Sequence, residues 1–507
     1  MKTIYLNNEK EFILNQNPLL VSYNVEMTEI TGGTFWKAYS LEEISGEKQF
    51  EGLSGQMLGH TSAGNPLMQW YDPVDLTNQR LRKCTKALGR AYIRVSGTWA
   101  NKTYYDFSEN PSDKAPEGYQ SVLTKVQWLR LLDFVRDMDL NLLVSLAVCE
   151  GSFNENHEYD LSQAELLFKT SKDYGVPIAA IEFMNETNIL QISGAPKWYT
   201  ASQYGSDQDL VMRWVKENYP ETLCVGPCVV GMEKAMGPGL SEEEKALTKG
   251  GGIADYSSAM ASSIEDLMAE SKFPLDVYSY HYYNGVSERL ESMMPGSHWK
   301  PEQATSKVYL DVAGQCCKFN MLKRDKYVPD GEMWVTESGD AGGGGNTWAS
   351  TYLDVFRTLN ELGCFSELTK GIIFHNTLCS SDYGYLKPEE FTPRPNYFAV
   401  LLWNKLVGSE VYKGIQEDNL YIYCHNNKKG NGYTYIFINP NDEEVCVKEK
   451  GNLALLTADS LRSSVIKLNG KELVLDAEDN LPDLDLEKVE EFILPSYSCA
   501  FLEVNDA

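Results

Sequence analysis

The chain segment from residue 142 to residue 183 decides the fold. It begins with the apolar run Leu142–Val148 (LLVSLAV), continues with Leu161–Tyr174 (LSQAELLFKTSKDY), and ends with Ala179–Phe183 (AAIEF). The apolar residues of the middle stretch recur at helical spacing, and Gly175 follows it as a natural place for a helix to end. Both flanking runs are apolar apart from Ser145 and Glu182, as strands buried on both faces of a sheet should largely be. The segment therefore predicts a β-α-β unit with parallel strands.

The same alternation continues along most of the chain. Two further helical stretches, Gln127–Met138 and Thr347–Leu362, lie between strand candidates, and Gly363 is the predicted end of the second. Eight strands that alternate with helices predict a (β/α)8 TIM barrel, an α/β fold. The strand candidates are Leu19–Tyr23, Tyr92–Val95, Leu142–Val148, Ala179–Phe183, Leu223–Gly226, Val277–Tyr280, Met333–Thr336 and Gly371–Phe374.

After about Leu406 the pattern changes to short strands without helices, which predicts a C-terminal β-sandwich of about 100 residues. We expect a catalytic barrel over residues 18–405 and a sandwich over residues 406–507, with an N-terminal strand at Lys2–Leu6 as a candidate addition to the sandwich. The predicted sandwich strands are Leu420–His425, Tyr433–Asn439, Ser464–Leu468, Glu472–Leu475, Glu491–Leu494 and Ser498–Val504, with turns at Lys428–Gly432 and Asn469-Gly470.

The charge of the chain excludes several classes of partner. Its formal net charge is -27, so its surface repels nucleic acid, anionic membranes and sulfated polysaccharides over about a Debye length. No stretch approaches about 18 uncharged apolar residues, so no membrane span is predicted.

The N-terminus and the cysteines bear on the compartment. Residues 1–10 lack the apolar core of a signal peptide, which predicts a cytoplasmic protein; a secreted or periplasmic protein is the alternative if a leader has been removed. The 11 cysteines are odd in number, and several lie in apolar runs, as Cys149 and Cys224 do. This pattern favours reduced, buried thiols over a disulfide framework.

Metal and cofactor motifs are not found in the sequence. The six histidines are scattered and make no paired-ligand spacing. There is also no phosphate-binding loop and no dinucleotide fingerprint. The sequence therefore predicts neither a metal site nor a cofactor.

Two glutamates follow barrel strands on opposite sides of the expected barrel mouth. The fourth strand candidate runs into Asn185-Glu186, and the seventh runs into Glu337. Chemistry in such barrels is carried by the C-terminal ends of the strands. Retaining glycoside hydrolysis needs two carboxyl groups about 5–5.5 Å apart, one protonated and one ionised. We therefore predict Glu186 as general acid/base, Glu337 as nucleophile, and Asn185 as a hydrogen-bonding partner of the sugar 2-hydroxyl.

The alternative interpretation is a pair of exposed glutamates at loop starts. The Asn-Glu dipeptide alone is not specific, and only Asn185-Glu186 ends a strand. Its other occurrences are Asn8-Glu9, Asn154-Glu155 and Asn360-Glu361.

Other polar and aromatic residues follow the remaining strands. His281, Tyr282 and Tyr283 come after strand six, where they would orient the nucleophile or contact the sugar, or else seal the barrel mouth as an aromatic cluster. Glu26 follows strand one and Thr98-Trp99 follows strand two, and each is either a sugar contact or a structural residue. The run Gly342–Gly345, after Glu337, allows the backbone to approach a ligand closely or simply makes a flexible turn.

Taken in order, these motifs resemble the β-glucuronidases and heparanases of glycoside hydrolase family 79, in the large retaining clan of (β/α)8 glycosidases. The resemblance spans nearly the whole chain. The matching pieces are Arg94–Thr98, Glu182–Asn188, His281–Gly285, Glu337-Ser338 with the glycine run, Leu402–Gly408, Ser464–Gly470 and Leu494–Phe501.

The resemblance implies cleavage of β-linked glucuronic acid with retention of configuration. It also implies that the uronate carboxylate is held by the loop after strand eight, through backbone N–H groups and a tyrosine. Here that loop is Ser380–Tyr385, which contains Ser381 and Asp382. Tyr383 is the better match for the tyrosine and Tyr385 is the alternative. Backbone amides suit a carboxylate because they are directional donors.

The chain departs from heparanases in its charge. Val286 follows Asn284-Gly285 where a basic residue is expected, and the insertion around Gly237–Gly252 is Gly-rich and acidic. These features favour an exo-β-glucuronidase acting on small glucuronides or short oligosaccharides. The sequence does not predict the oligomeric state. The alternatives are an endo-acting enzyme on a glucuronic-acid-containing polysaccharide, a related glycosidase for a neutral sugar, and a catalytically silent binding relative. Silent relatives typically lose a carboxylate, and this chain keeps both.

Overall fold

Eight parallel strands close into a barrel in the order in which they follow one another along the chain. The computed structural model describes residues 2–6, 10–52, 66–231, 262–292 and 294–505, so the acidic insertion around Gly237–Gly252 lies outside the described residues. The strands are β1 (Val21–Glu26), β2 (Tyr92–Ser96), β3 (Asn141–Ser145), β4 (Ala180–Glu182), β5 (Leu223–Val230), β6 (Val277–Tyr283), β7 (Glu332–Gly339) and β8 (Gly371–His375). Strand β8 pairs with β1 and completes the ring, which confirms the predicted barrel.

Helices connect the strands and cover the outside of the barrel. Several begin at a side-chain cap, as the helix after β4 does at Thr200, whose hydroxyl accepts from the N–H of Gln203. The described helices are Met27–Thr31, Leu41–Ser45, Gln79–Leu88, Lys125–Asp137, Ser162–Asp173, Ala201–Asn218, Ile264–Met268, Lys307–Tyr327, Leu353–Leu368 and Pro395–Leu406. In this part of the chain, no helix is both long enough and apolar enough to cross a membrane.

The helix after β7 corrects a predicted boundary. It was expected over Thr347–Leu362 with its end at Gly363, whereas it spans Leu353–Leu368 and contains Gly363. A Cβ atom at position 363 would lie 2.1 Å from the ring of Tyr423. Glycine is present because the helix packs very closely against the C-terminal sheet, and not because the helix ends there.

The N-terminal half of the barrel is filled by apolar side chains. The rings of Tyr92, Trp334 and Phe374 pack against one another with centroids 5.0–6.1 Å apart. Because this layer plugs the barrel, polar side chains gather at the opposite, C-terminal ends of the strands. The layer consists of Tyr92, Leu143, Ala180, Val225, Val277, Trp334, Ile372 and Phe374.

The C-terminal part of the chain forms two packed sheets, as predicted. Each N-terminal strand joins one of them: Lys2–Ile4 pairs with Val445–Val447, and Phe12–Asn15, which was not predicted, pairs with Val407–Glu417. The Asn469-Gly470 hairpin is present but shorter than expected, with Lys467–Leu468 opposite Lys471–Glu472. The remaining strands are Leu420–Asn427, Gly432–Asn439, Gly451–Thr457, Glu487–Val489, Phe492–Leu494 and Ser498–Asn505.

Two small sheets lie in the loops that follow β1 and β2. The strands Gly33–Trp36 and Met68–Tyr71 form an antiparallel pair, and Thr103–Asp106 pairs with Ser121–Thr124.

All 11 cysteines carry free thiols, and all except the half-buried Cys364 are buried.

Candidate active site

Glu337 occupies a buried position near the end of β7. Its Oε1 accepts a hydrogen bond from Arg94 Nη1 at 3.0 Å, and its Oε2 accepts from the Tyr283 hydroxyl at 2.7 Å. Burial alone would raise the pKa of this carboxyl group, but the positive charges of His281 and Arg94 and the Tyr283 hydrogen bond outweigh burial and lower it. Glu337 is therefore an ionised carboxylate at neutral pH.

Glu186 follows β4 in a left-handed backbone conformation, with φ +54°. A residue other than glycine adopts this conformation only when its surroundings hold it there. Here the Ser193 hydroxyl donates to the Glu186 carbonyl oxygen at 2.9 Å. The side chain of Glu186 is 19% exposed and that of Glu337 is 7% exposed, so Glu186 is the more open of the two.

His281 stands between the two carboxylates. Its Nδ1 lies 3.3 Å from Glu186 Oε1 and 3.5 Å from Glu337 Oε2, so Nδ1 carries a proton that it shares with acceptors on both sides. Burial would lower the pKa of His281, but the negative charge of Glu337 raises it well above its ordinary value. One carboxylate oxygen of each glutamate and a ring nitrogen of His281 all lie within 4.8 Å of one another. The structure thus brings together the two glutamates predicted from strands four and seven.

The same three groups have the donor types of a metal site. Arg94 Nη2, however, lies 3.3 Å from His281 Nε2, and the same guanidinium binds Glu337. A fixed positive charge already neutralises this cluster, so its electrostatics do not call for a cation. The absence of a metal stays a prediction.

A buried ion pair lies beneath the glutamates. Arg94 Nε donates to Glu182 Oε2 at 2.7 Å, and Arg94 Nη2 donates to Asn185 Oδ1 at 2.7 Å. Because Asn185 accepts from Arg94 through its side-chain oxygen, its amide nitrogen is the group that can donate to a sugar hydroxyl. Sequence reasoning assigned no role to Arg94 or Glu182. The available signal was a charged residue inside each of two otherwise apolar strands, β2 and β4.

Glu26, at the end of β1, is a second buried carboxyl group in the site. Asn376 Nδ2 donates to its Oε1 at 3.3 Å, and no described residue hydrogen-bonds to its Oε2. Burial, followed by the negative charges of Glu337 and Glu29, raises the pKa of Glu26 well above its ordinary value. Its environment therefore favours the protonated form, in which the carboxyl group both donates and accepts hydrogen bonds.

Asn376 links the predicted residues around Glu26. The sequence reasoning did not single it out, yet its Nδ2 lies 3.0 Å from the Tyr283 hydroxyl and 3.1 Å from the Tyr383 hydroxyl. Tyr385 instead stacks on the ring of His375, with centroids 4.0 Å apart. Of the two tyrosines in the loop after β8, the structure brings Tyr383 to the glutamates.

Tyr282 does not join the site, contrary to its prediction as a sugar contact. Successive side chains of a strand point to opposite faces, so Tyr282 points away from the barrel interior that receives His281 and Tyr283. Its hydroxyl donates to Asn284 Oδ1 on the outer side.

The other predicted contacts have mixed placements. Thr98 and Trp99 are half-buried after β2, and the Trp99 ring packs against Phe35. Ser381 and Asp382 are buried: the Ser381 hydroxyl donates to Gly344 O at 2.8 Å, and Asp382 Oδ2 accepts from an arginine, whereas no described residue hydrogen-bonds to Asp382 Oδ1. These contacts brace the loop.

The glycine run after Glu337 is a defined loop. Gly343 and Gly344 both have φ +90°, a region that side-chain-bearing residues rarely adopt. A Cβ atom at position 344 would lie 2.7 Å from Trp36. No described residue accepts a hydrogen bond from the N–H group of Gly343 or Gly344. The loop therefore has two backbone donors available, an arrangement that suits an anion.

Comparison with known proteins places this geometry in context. No family model matches the chain. A hyaluronoglucuronidase from Hirudo nipponia is 27% identical over 486 residues, which cover 86% of this chain and 91% of that protein. A baicalin-β-D-glucuronidase from Scutellaria baicalensis is 34% identical over 167 residues, which cover 30% of this chain and 31% of that protein.

A solved structure shares the whole architecture. The 4-O-α-L-rhamnosyl-β-D-glucuronidase from Fusarium oxysporum superposes with a TM-score of 0.62 and covers 99% of this chain and 100% of that one. At 11% identity the likeness concerns the fold. Together, the sequence relatives and the shared fold show that the chain is a glycoside hydrolase, similar to the β-glucuronidases and heparanases of family 79.

Proposed function

We propose that this enzyme is a retaining exo-β-glucuronidase that removes terminal β-linked glucuronic acid from small glucuronides or short oligosaccharides. The observation that carries the proposal is the close approach of Glu186 and Glu337, whose nearest oxygens lie within 4.8 Å. Retaining glycosidases have carboxyl groups about 5–5.5 Å apart, whereas inverting enzymes leave about 6.5–9.5 Å for a water molecule.

The environments of the two glutamates assign the first chemical step. Glu337 is held ionised by Arg94 and Tyr283, so its carboxylate attacks the anomeric carbon. The bond from the anomeric carbon to the leaving oxygen breaks as Glu186 gives that oxygen its proton. The products are the free aglycone and a glucuronyl ester on Glu337.

The second step reverses these roles. Glu186, now a carboxylate, takes a proton from a water molecule, which attacks the anomeric carbon and releases Glu337. His281 Nδ1 contacts both carboxylates, so it is placed to stabilise whichever of them carries the charge.

Three groups support recognition of a uronate. The N–H groups of Gly343 and Gly344 and the hydroxyl of Tyr383 are donors that suit the uronate carboxylate. The raised pKa of Glu26 favours its protonated form, which adds no negative charge beside that carboxylate and offers a donor to a sugar hydroxyl.

Net charge and the low exposure of the glutamates support a small substrate. The names of all three similar proteins specify a glucuronidase, and that of the Scutellaria baicalensis protein names baicalin. A net charge of -27 disfavours a long sulfated chain. Low exposure of both glutamates favours an enclosed site over an open groove.

The first test is hydrolysis of aryl β-glucuronide beside aryl β-glucoside and aryl β-xyloside. We expect selective turnover of the glucuronide and its loss, by about 10⁴-fold or more, in Glu337→Ala. Glu155→Gln is the matched control, because Glu155 belongs to an exposed Asn-Glu pair outside the site. If the enzyme prefers a neutral sugar, the assigned substrate is wrong, whereas the proposed double-displacement mechanism still applies.

A second measurement tests the mechanism itself. The first glucuronic acid released, observed by NMR before it mutarotates, should be the β-anomer. In Glu186→Gln, substrates with an excellent leaving group should still form the glucuronyl ester, and added azide should speed its breakdown. If the α-anomer is released first, the double displacement is wrong.

A further inference from the structure

Arg289 is a buried arginine that the proposed chemistry does not use. It lies in the turn Glu288–Leu290 after β6, and the residue is 2% exposed. Its Nη1 donates to Gly345 O at 2.7 Å, and its Nη2 donates to Lys37 O at 2.8 Å and to Asp382 Oδ2 at 2.6 Å. One guanidinium therefore ties together loops that follow three different strands, β1, β7 and β8.

Tyr39, in the loop after β1, contacts Arg289 and shares two of its hydrogen-bond acceptors. The Arg289 guanidinium lies over the Tyr39 ring, 3.6 Å from its centroid. The Tyr39 hydroxyl donates to Gly345 O at 3.1 Å, and the Tyr39 N–H donates to Asp382 Oδ2 at 3.3 Å. Arg289 and Tyr39 thus hold the same two acceptors from two directions, which determines the spacing between them.

Those two acceptors lie beside the proposed uronate donors. Gly345 directly follows Gly343 and Gly344, and Asp382 directly precedes Tyr383. The two loops also contact each other, since the Asp382 N–H donates to Gly344 O at 3.2 Å. Any shift of Asp382 relative to Gly345 changes the distance between the glycine N–H groups and the Tyr383 hydroxyl.

We infer that Arg289 is a positioning residue that sets the preference for a uronate over a neutral sugar. The inference rests on the proposed function. Arg289 is the nearer of two counter-charges of Asp382: its Nη2 lies 2.6 Å from Oδ2, whereas Arg394 Nη2 lies 4.0 Å from Oδ1, which no described residue hydrogen-bonds. Without the Arg289 guanidinium, the loops lose their common spacing, and the buried Asp382 carboxylate keeps only the more distant Arg394. A neutral sugar makes no use of that pocket, so its hydrolysis is spared.

The test compares two substrates in Arg289→Lys and Arg289→Gln. For aryl β-glucuronide, kcat/KM should fall by about 10- to 100-fold, mostly through KM, because small displacements of aligned donors have large effects. For the activated dinitrophenyl β-glucoside, kcat/KM should change less than about threefold, as expected when only the carboxylate contacts are lost. An equal loss on both substrates would make Arg289 a purely structural residue and overturn the inference.

Arg462→Lys is the matched control. Arg462 also braces loops after β1 and β7, through Ile44 O at 2.8 Å, Glu43 O at 2.7 Å and Thr347 Oγ1 at 2.8 Å. None of these partners belongs to the loop after β8, so the ratio of the two kcat/KM values should not change. A wild-type enzyme without a preference for glucuronide would contradict the proposed function, and the role of Arg289 with it; a wild-type preference that persists in Arg289→Gln would contradict the role of Arg289 alone.

Two more variants separate position from charge and guard against misfolding. Arg289→Gln/Asp382→Asn removes both charges, and its selectivity should stay low because the three-loop contact is still lost. Recovery of wild-type selectivity would show that charge alone matters and would overturn the positioning role. Tyr39→Leu leaves Arg289 and Asp382 in place and should lower selectivity in the same direction; unchanged selectivity in that variant would count against the inference.

Discussion

Glu26 and Glu337 are the same residue type, both buried in one site, and they ionise in opposite directions. Burial raises the pKa of both, but only Glu337 receives a guanidinium and a phenol hydrogen bond that reverse the effect. Glu26 instead lies against Gly97, where a Cβ atom would be 1.6 Å from its Oε2. At the residue scale, the role of a carboxyl group is therefore decided by the donors that surround it.

Tyr283→Phe tests this control of Glu337. Loss of the 2.7 Å hydrogen bond removes one of the contacts that lower the pKa of Glu337. The pKa should rise, so the acidic limb of the kcat/KM profile should move to higher pH. We expect kcat to fall by about 10- to 100-fold, the effect of one hydrogen bond to a charged group.

The neighbouring tyrosine is the matched control for that experiment. Tyr282→Phe removes a hydroxyl that is turned to the outside of the barrel. Its acidic limb should coincide with that of the wild type. Equal shifts in both variants would show that the hydrogen bond to Glu337 does not control ionisation.

At the scale of the element, two glycines inside helices have opposite roles. Gly363 allows its helix to contact Tyr423, whereas a Cβ atom at Gly314, in Lys307–Tyr327, would meet no atom within 4 Å. Gly314→Ala should therefore stabilise the protein by about 0.5–1 kcal/mol through helix propensity. Gly363→Ala should destabilise it by about 1–3 kcal/mol through overpacking. Urea denaturation measures both, and changes of the same sign would contradict the proposed packing.

A buried acid, Asp340, precedes the glycine loop and holds its far end, which is also a property of the element. Asp340 Oδ2 accepts from the Asn346 N–H at 2.9 Å, and burial, with a smaller contribution from Asp354, raises its pKa to about 8. Between about pH 4 and pH 8 the folded protein keeps a proton that the unfolded chain has lost, so stability falls as pH rises.

Asp340→Asn removes that titration. The variant should be more stable than the wild type by about 1–3 kcal/mol at pH 8, and the difference should narrow toward pH 4. Melting temperatures at both pH values measure the effect. If the difference in stability between the variant and the wild type is the same at pH 4 and pH 8, Asp340 is ionised in the folded protein.

At the scale of the whole molecule, the net charge of -27 opposes an anionic substrate. Added salt screens this repulsion, so kcat/KM for a glucuronide should rise about two- to fivefold between low ionic strength and 0.2 M. The neutral dinitrophenyl β-glucoside is the internal control and should be insensitive to salt. A decrease for the glucuronide would show that positive groups near the site, such as Arg94 and Arg289, dominate its approach.

The barrel and the central pair of glutamates were predictable because they depend on local patterns. Continuous apolar runs predict buried parallel strands, and the fold itself brings the ends of β4 and β7 to one mouth. Asn376 and Arg289 were not predicted. Each is brought to the site by a loop or strand end far away in sequence, and a single asparagine or arginine carries no periodic signal.

The sequence by itself therefore determined the architecture and the two glutamates, since hydrophobic periodicity and strand order are properties of the chain. It could not decide between Tyr383 and Tyr385, or exclude Tyr282, because these outcomes depend on which face of a strand or loop points inward. Only the tertiary structure decided that the pKa of Glu26 is raised, that the pKa of Glu337 is lowered, and that Arg289 joins three loops. Charge and hydrogen-bond energies depend on distance in space, and folding sets those distances among residues hundreds of positions apart.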